Sequence, residues 1–189
     1  MKIGLYFGSF NPIHIGHCII ASHMAQNTNL DRVWLVVSPH NPLKDTSGLL
    51  NEYHRLHLVR LAIENETTIK ASDIEFHLPR PSFTIDTLAY LVEKHPEHTF
   101  SIVLGSDGLQ NLHKWKNAET LVKNHRLYVY KRPGFNIVHP LNAAIETVEA
   151  PLLEISSTHI RYMISQGKSI RYLVPDKVLD EIVLYHYYK

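Results

Sequence analysis

The chain has 189 residues, 44% of them hydrophobic and 20% charged, with a formal net charge of +1, which fits one globular domain, 1–189, large enough for a substantial core. So even a charge balance gives no electrostatic reason to expect a nucleic-acid or membrane partner, and it weighs against a tRNA-binding enzyme. The single cysteine, Cys18, excludes an intrachain disulfide framework, no apolar run reaches membrane-spanning length, and the start lacks a signal-peptide pattern, so a cytoplasmic protein is expected.

The first predicted element is a short buried strand over Ile3 to Phe7. Gly8 then permits a tight turn, Pro12 punctuates the loop, and Ile15, Ile19, Ile20 and Met24 run at helical spacing. A strand feeding a helix through such a loop leaves unpaired N–H groups at the positive end of the helix dipole, which is a phosphate-binding arrangement. His14 and His17, three apart on the first turn, can reach one anion together, and Gly16 removes a side chain where a ligand would approach. A zinc half-site is the competing reading, but no cysteine or third histidine stands at zinc spacing. With 14 histidines in the chain, spacing alone decides little: His54 and His57 repeat it without a glycine or proline loop and read as surface or packing residues. Cys18, on the same helix, reads as a packing residue rather than a nucleophile.

Val33 to Val37 is a continuous apolar run, as expected of a strand buried on both faces of a parallel sheet. The loop Ser38 to Asp45 leaves its carboxyl end, where open α/β sheets place ligands, so Lys44 faces either substrate or solvent. A helix is predicted from about Glu52 to Glu64 with Leu56, Val59 and Ile63 inward, then a strand over Ile69 to Phe76, ended by Pro79-Arg80-Pro81. Ser82 and Thr84 are candidate N-caps for a helix carrying Ile85, Leu88, Ala89 and Val92.

Thr99 to Leu104 is the next predicted strand, stopping at Gly105-Ser106-Asp107. Glycine there lets a flat ring approach the backbone, and Asp107 either accepts from ribose hydroxyls or caps a helix. A helix over Leu112 to Val122 carries Trp115, a strand follows over Leu127 to Tyr130, and Arg132 sits just past its end. Pro151 to Ile155 reads as a last short strand. Ser156-Ser157-Thr158 opens a helix with Arg161 one turn in, and hydroxyls, N–H groups and a guanidinium there form a second anion site. Pro175-Asp176 starts a final helix with Val178, Leu179, Ile182 and Tyr185 inward. The pattern predicts a single doubly wound α/β domain with about five parallel strands and ligands at their carboxyl ends.

Gly8-Ser9-Phe10-Asn11-Pro12-Ile13-His14-Ile15-Gly16-His17 resembles the GxFxPxHxGH signature of the nucleotidyltransferase superfamily, which shares a HIGH-type motif with class I aminoacyl-tRNA synthetases. ISSTHIR, from Ile155 to Arg161, is the superfamily's second mark. Together with the proline loop ending in Lys44, PSFTIDT, LGSD, Trp115, KRPG and LVPDKV, these stretches are similar in order to the bacterial nicotinate-nucleotide adenylyltransferases and cover nearly the whole chain. The resemblance implies a Rossmann-like nucleotidyltransferase fold and an enzyme of NAD biosynthesis that joins ATP and nicotinate mononucleotide into nicotinate adenine dinucleotide with release of pyrophosphate. It also implies the site. His14, His17 and Arg161 would be catalytic, acting on the phosphates; Gly8, Ser9, Phe10, Gly16, Gly105, Asp107, Ser157 and Thr158 would complete the ATP site. Ser9, Lys44, Thr84, Trp115 and Arg132 would bind the mononucleotide, with Trp115 stacked on the pyridine ring and Thr84 near its carboxylate. The chain would supply no metal ligands of its own, and Mg2+ would come with ATP, held by phosphate oxygens and water. The rival readings are an enzyme like phosphopantetheine adenylyltransferase, against which PSFTIDT and Trp115 argue, and a catalytically idle nucleotide sensor. The sequence leaves the oligomeric state open, a homo-oligomer included.

Overall fold

The structure is a computed structural model that describes residues 1–40, 48–137, 140–151 and 153–189. Its sheet contains β1 (Lys2–Gly8), β2 (Arg32–Val37), β3 (Ile69–Ser72), β4 (Thr99–Gly105), β5 (Leu127–Tyr130) and β6 (Ile145–Val148), all parallel, in the order β3-β2-β1-β4-β5-β6. Side chains alternate across a strand, so a run that is apolar throughout must be covered on both faces. Val33, Leu35 and Val37 pack on one face with Ile20 and Met24 of α1 (Ile15–Asn27) and Leu56 and Val59 of α2 (Glu52–Ala62). Trp34 and Val36 pack on the other with Leu88 and Leu91 of α3 (Thr84–Lys94), Leu109 of α4 (Ser106–Gln110) and Leu121 of α5 (Ala118–Asn124). The last two helices, α6 (Ser157–Ser165) and α7 (Asp176–Leu184), join the first face through Ile160, Val178 and Ile182. This is the doubly wound arrangement that the sequence predicts. Among the described residues no helix is long and apolar enough to cross a membrane.

The direction of winding reverses between β1 and β4, which are hydrogen-bonded neighbours, with Leu5 opposite Trp34 on one side and Ile102 on the other. Crossovers to either side diverge at this switch point and leave a crevice beyond the carboxyl ends of the two strands.

Four elements differ from the sequence reading in their bounds or caps, and Tyr185, expected inward, is 57% exposed just past the end of α7. The sheet has six strands, where the pattern predicts about five, and its edge strand is Ile145–Val148 rather than Pro151 to Ile155, whose described residues, 151 and 153–155, lie in no strand. Val148 packs on the first face and Ile145 against the second, but only Val148 of the four residues is buried, and with Glu146 and Thr147 between them the segment is not a continuous apolar run. The predicted strand over Ile69 to Phe76 stops at Ser72, whose Oγ accepts from the Ile74 N–H at 3.4 Å as the chain turns into a 3-10 turn over Ile74–His77. Trp115 is not helical: α4 ends at Gln110, a 3-10 turn spans Leu112–Lys114, and Trp115 is extended at φ −78° and ψ 145°. Asn117, at φ 50°, then starts α5, the left-handed region being one that asparagine tolerates. Finally, neither Ser82 nor Thr84 caps α3; Phe83 holds the cap position and Thr84 is the first helical residue.

Candidate active site

A cleft of about 870 Å³ opens beyond β1 and β4, a volume in the range of ligand pockets. Gly8, Ser9, Phe10, His17, Thr84, Gly105, Asp107, Trp115, Arg132, Ser157, Thr158 and Arg161 all line it, although they come from six separate parts of the chain. Two predicted residues lie behind this lining, His14 and Gly16, and Lys44 falls outside the described residues.

The β1–α1 loop is tightly determined. Phe10 takes φ 45° with its ring buried, a conformation that costs a non-glycine residue on the order of 1–2 kcal/mol and must be repaid by packing. The ring folds back over Gly8, where an added Cβ would lie 2.8 Å from it, and meets the His17 ring edge-on at 5.0 Å. His17 in turn stacks on His14, with centroids 3.7 Å apart and planes 23° apart. The His14 backbone N–H donates to His17 Nδ1 at 3.3 Å. A neutral His17 therefore carries its proton on Nε2, which makes it a hydrogen-bond donor.

His14 is only 5% exposed, and burial first, then the positive charge of Arg132, push its imidazole down to a pKa of about 4. It is neutral at pH 7. Its Nδ1 is buried without a hydrogen-bond partner among the described residues. At Gly16 a Cβ would come 3.1 Å from His14 Nδ1, so the glycine makes room for the imidazole.

The start of α6 completes this end of the cleft. Ser156 Oγ caps the helix by accepting from the His159 N–H at 3.2 Å, which leaves Ser157 and Thr158 in the first turn. Ser157 Oγ donates to the Pro12 carbonyl at 2.9 Å and Arg161 Nη1 to that of Asn11 at 2.8 Å, so α6 is fastened to the loop. A guanidinium has five N–H donors, and Arg161 retains others for an anion.

Across β4, the side chain of Arg132 lies over Gly105, where an added Cβ would be 2.9 Å from its Cδ, and its Nη1 donates to Asp107 Oδ2 at 3.1 Å. Gly105, not Asp107, holds the cap position of α4. The remaining acceptor sites of the Asp107 carboxylate suit hydroxyl donors. At the far wall, Lys116 donates to Asp86 Oδ2 at 2.8 Å and sits 4.8 Å above the Phe83 ring, which ties the Trp115 segment to the start of α3. An apolar ring and a helix N-terminus thus share one wall.

Cys18 is removed from this chemistry: burial pushes its thiol up to about 11, so at pH 7 it is not a nucleophile.

Three supporting residues escaped the sequence reading. Arg55, with no exposed surface, donates to the carbonyls of Leu50 at 2.7 Å, Ser38 at 2.8 Å, Pro39 at 2.9 Å and Ser9 at 2.5 Å. Glu75, at 2% exposure, accepts from Ser82 Oγ and Thr87 Oγ1, both at 3.0 Å, and burial raises its carboxyl above the ordinary range. Asn11 bridges to the chain at Gly48 and Leu50 through both ends of its amide. The usable signal was a charge inside an apolar stripe: Arg55 stands three and four residues before Leu58 and Val59, and Glu75 between Ile74 and Phe76.

A family model described as cytidylyltransferase-like matches residues 5–163. Curated relatives carrying the name nicotinate-nucleotide adenylyltransferase include one from Flavobacterium psychrophilum, 52% identical over the full length of both chains. Another, from Bacteroides fragilis, is 43% identical over 96% of this chain and 91% of its own. Among solved structures, Plasmodium falciparum nicotinic acid mononucleotide adenylyltransferase complexed with NaAD superposes with a TM-score of 0.85 at 25% identity, covering 99% of this chain and 97% of that one. The same Plasmodium protein complexed with APC gives a TM-score of 0.83 at 24% identity over 99% and 96% of the two chains, a likeness of fold.

Proposed function

This chain belongs to the cytidylyltransferase-like family and, within it, to the nicotinate-nucleotide adenylyltransferases, and from that premise we infer that it joins ATP to nicotinate mononucleotide, giving nicotinate adenine dinucleotide and pyrophosphate. The observation that carries the reading is one cleft holding both the histidine-bearing start of α1 and the wall formed by Thr84 and Trp115. The full-length relatives set aside the phosphopantetheine alternative.

We assign the residues as follows. His17 donates to the α-phosphate of ATP, with His14 stacked behind it, and Ser157, Thr158 and Arg161 hold the outer phosphates. The backbone at Gly105 meets adenine and Asp107 the ribose, while Gly8, Ser9 and Phe10 shape the loop beneath. Ser9 and Arg132 bind the mononucleotide, together with Lys44. Trp115 stacks on its pyridine ring, and Thr84 with the first amides of α3 receives the ring carboxylate.

The attacking phosphate has a second pKa of about 6 and is already mostly dianionic at pH 7, so no general base is required. No enzyme nucleophile is required either. The barrier comes from bringing two anions together and from charge growing on the α-phosphate and the departing pyrophosphate; alignment and fixed donors lower it. The cleft's carboxylates fit magnesium carried by ATP rather than by the chain, because Asp107 is engaged by Arg132 and Glu75 by Ser82 and Thr87. Mg2+ brought with ATP would supply charge neutralisation on the phosphates and would need no ligand from the chain. A cytoplasmic setting belongs to the same reading.

The test is pyrophosphate release from ATP with nicotinate mononucleotide and, separately, with its amide. The carboxylate form is used at least tenfold better in kcat/KM, since charge-assisted bonds from fixed donors supply the about 1.4 kcal/mol this requires. Equal kcat/KM for the two would remove Thr84 and the start of α3 from substrate reading. No pyrophosphate with either mononucleotide would favour the idle sensor.

A further inference from the structure

The turn that joins α3 to β4 lies at the opposite end of the sheet from the cleft and carries His95, Pro96, Glu97 and His98. One ligand atom from each of His95, Glu97 and His98 lies within 4.8 Å of the others, the one such group of three among the described residues. Glu97 Oε1 is 3.7 Å from His95 Nδ1 and 3.2 Å from His98 Nδ1. Bonds of about 2.0–2.1 Å to a tetrahedral zinc ion place ligand atoms roughly 3.3–3.4 Å apart, so two edges of the tetrahedron are nearly drawn already. The two imidazoles are near parallel, 12° between planes, with centroids 5.6 Å apart. His98 Nδ1 is buried and, despite its approach to Glu97, makes no hydrogen bond among the described residues.

The backbone beneath is fixed before any ion arrives. His95 N–H donates to the Leu91 carbonyl at 2.9 Å, and His98 N–H to that of His95 at 3.0 Å. Thr99 N–H donates to the Met1 carbonyl at 2.9 Å. The His95 ring packs edge-on against Trp34 and the His98 ring lies against Phe100, which limits their rotation. Glu97, with 60% of its side chain exposed, leaves a fourth position open to water.

We propose that His95, Glu97 and His98 form a binding site for one borderline divalent transition-metal ion, such as Zn2+ or Ni2+, that fastens the end of α3 to the start of β4. Two imidazoles and one carboxylate suit ions of this class, whereas Mg2+ and Ca2+ prefer all-oxygen sets. The site is separate from the cleft and independent of the magnesium carried by ATP.

The chain has two tryptophans, and Trp115→Phe leaves Trp34, in contact with His95, as the single indole. In that background, titration with Ni2+, a paramagnetic quencher, should reduce Trp34 fluorescence saturably with one equivalent, and EDTA should restore it. Zn2+ should compete with Ni2+ and raise Tm. Glu97→Gln removes a ligand from an exposed position without disturbing the core, and His95→Asn removes another; each should weaken the quenching midpoint by at least about tenfold. Absence of saturable quenching overturns the proposal. Quenching unchanged in both variants also overturns it, because the ion would then sit on other histidines.

Discussion

Replacing His17 with alanine should lower kcat by a factor on the order of 10² to 10³, the loss that follows removal of one donor aimed at developing charge, while ATP affinity changes far less. The split is expected because charge on the α-phosphate grows as the transition state forms. The His14 backbone N–H, donating to His17 Nδ1, leaves Nε2 as the donor nitrogen, and stacking on His14 and the edge of Phe10 fixes the ring plane, so the donor is held before substrate binds. Asparagine at this position can still donate and should recover part of the rate. Measurements of kcat, ATP affinity and Tm on both variants separate chemistry from packing. A folded His17→Ala enzyme with near-normal turnover would contradict the assignment.

The largest effect on stability should come from Arg55→Ala. The buried guanidinium is the common partner of four carbonyls, on both loops that leave β1 and β2 and at the entry to α2. Deleting it leaves buried acceptors unsatisfied, at about 1–3 kcal/mol each, so unfolding in urea should show a loss of at least about 3 kcal/mol. Because Ser9 is one of those partners, KM should rise for ATP and for the mononucleotide as well. Arg55→Lys keeps the charge but not the planar fork and should recover only part of both. An alanine variant as stable as the parent would show that water takes over the four carbonyls.

Most of the fold was legible because it rests on continuous apolar runs. Val33 to Val37 and Thr99 to Leu104 can be satisfied only between two helical layers, and glycine or proline marks where the chain leaves the first strand. What periodicity could not supply is the edge of the sheet, where Ile145–Val148 pairs with β5 and carries a single buried residue, Val148. Trp115 was misplaced for a similar reason: the apolar spacing of Leu112, Leu121 and Val122 continues across a segment that Asn117 breaks in two. At the site, the residues that face the cleft announced themselves through loop chemistry and motif. Those behind it did not. Arg55 and Glu75 are read only from their surroundings, and the role of Gly16 depends on where the His14 ring turns, which no spacing rule encodes.

On the proposed function, the mononucleotide phosphate attacks the α-phosphate of ATP directly, with no adenylylated enzyme between them. ATP carrying one sulfur of known configuration on its α-phosphate tests it, with the configuration at phosphorus determined in the dinucleotide product. A single in-line displacement inverts that centre, and inversion is the predicted result. Retention would require two displacements through a covalent enzyme intermediate and would contradict the account.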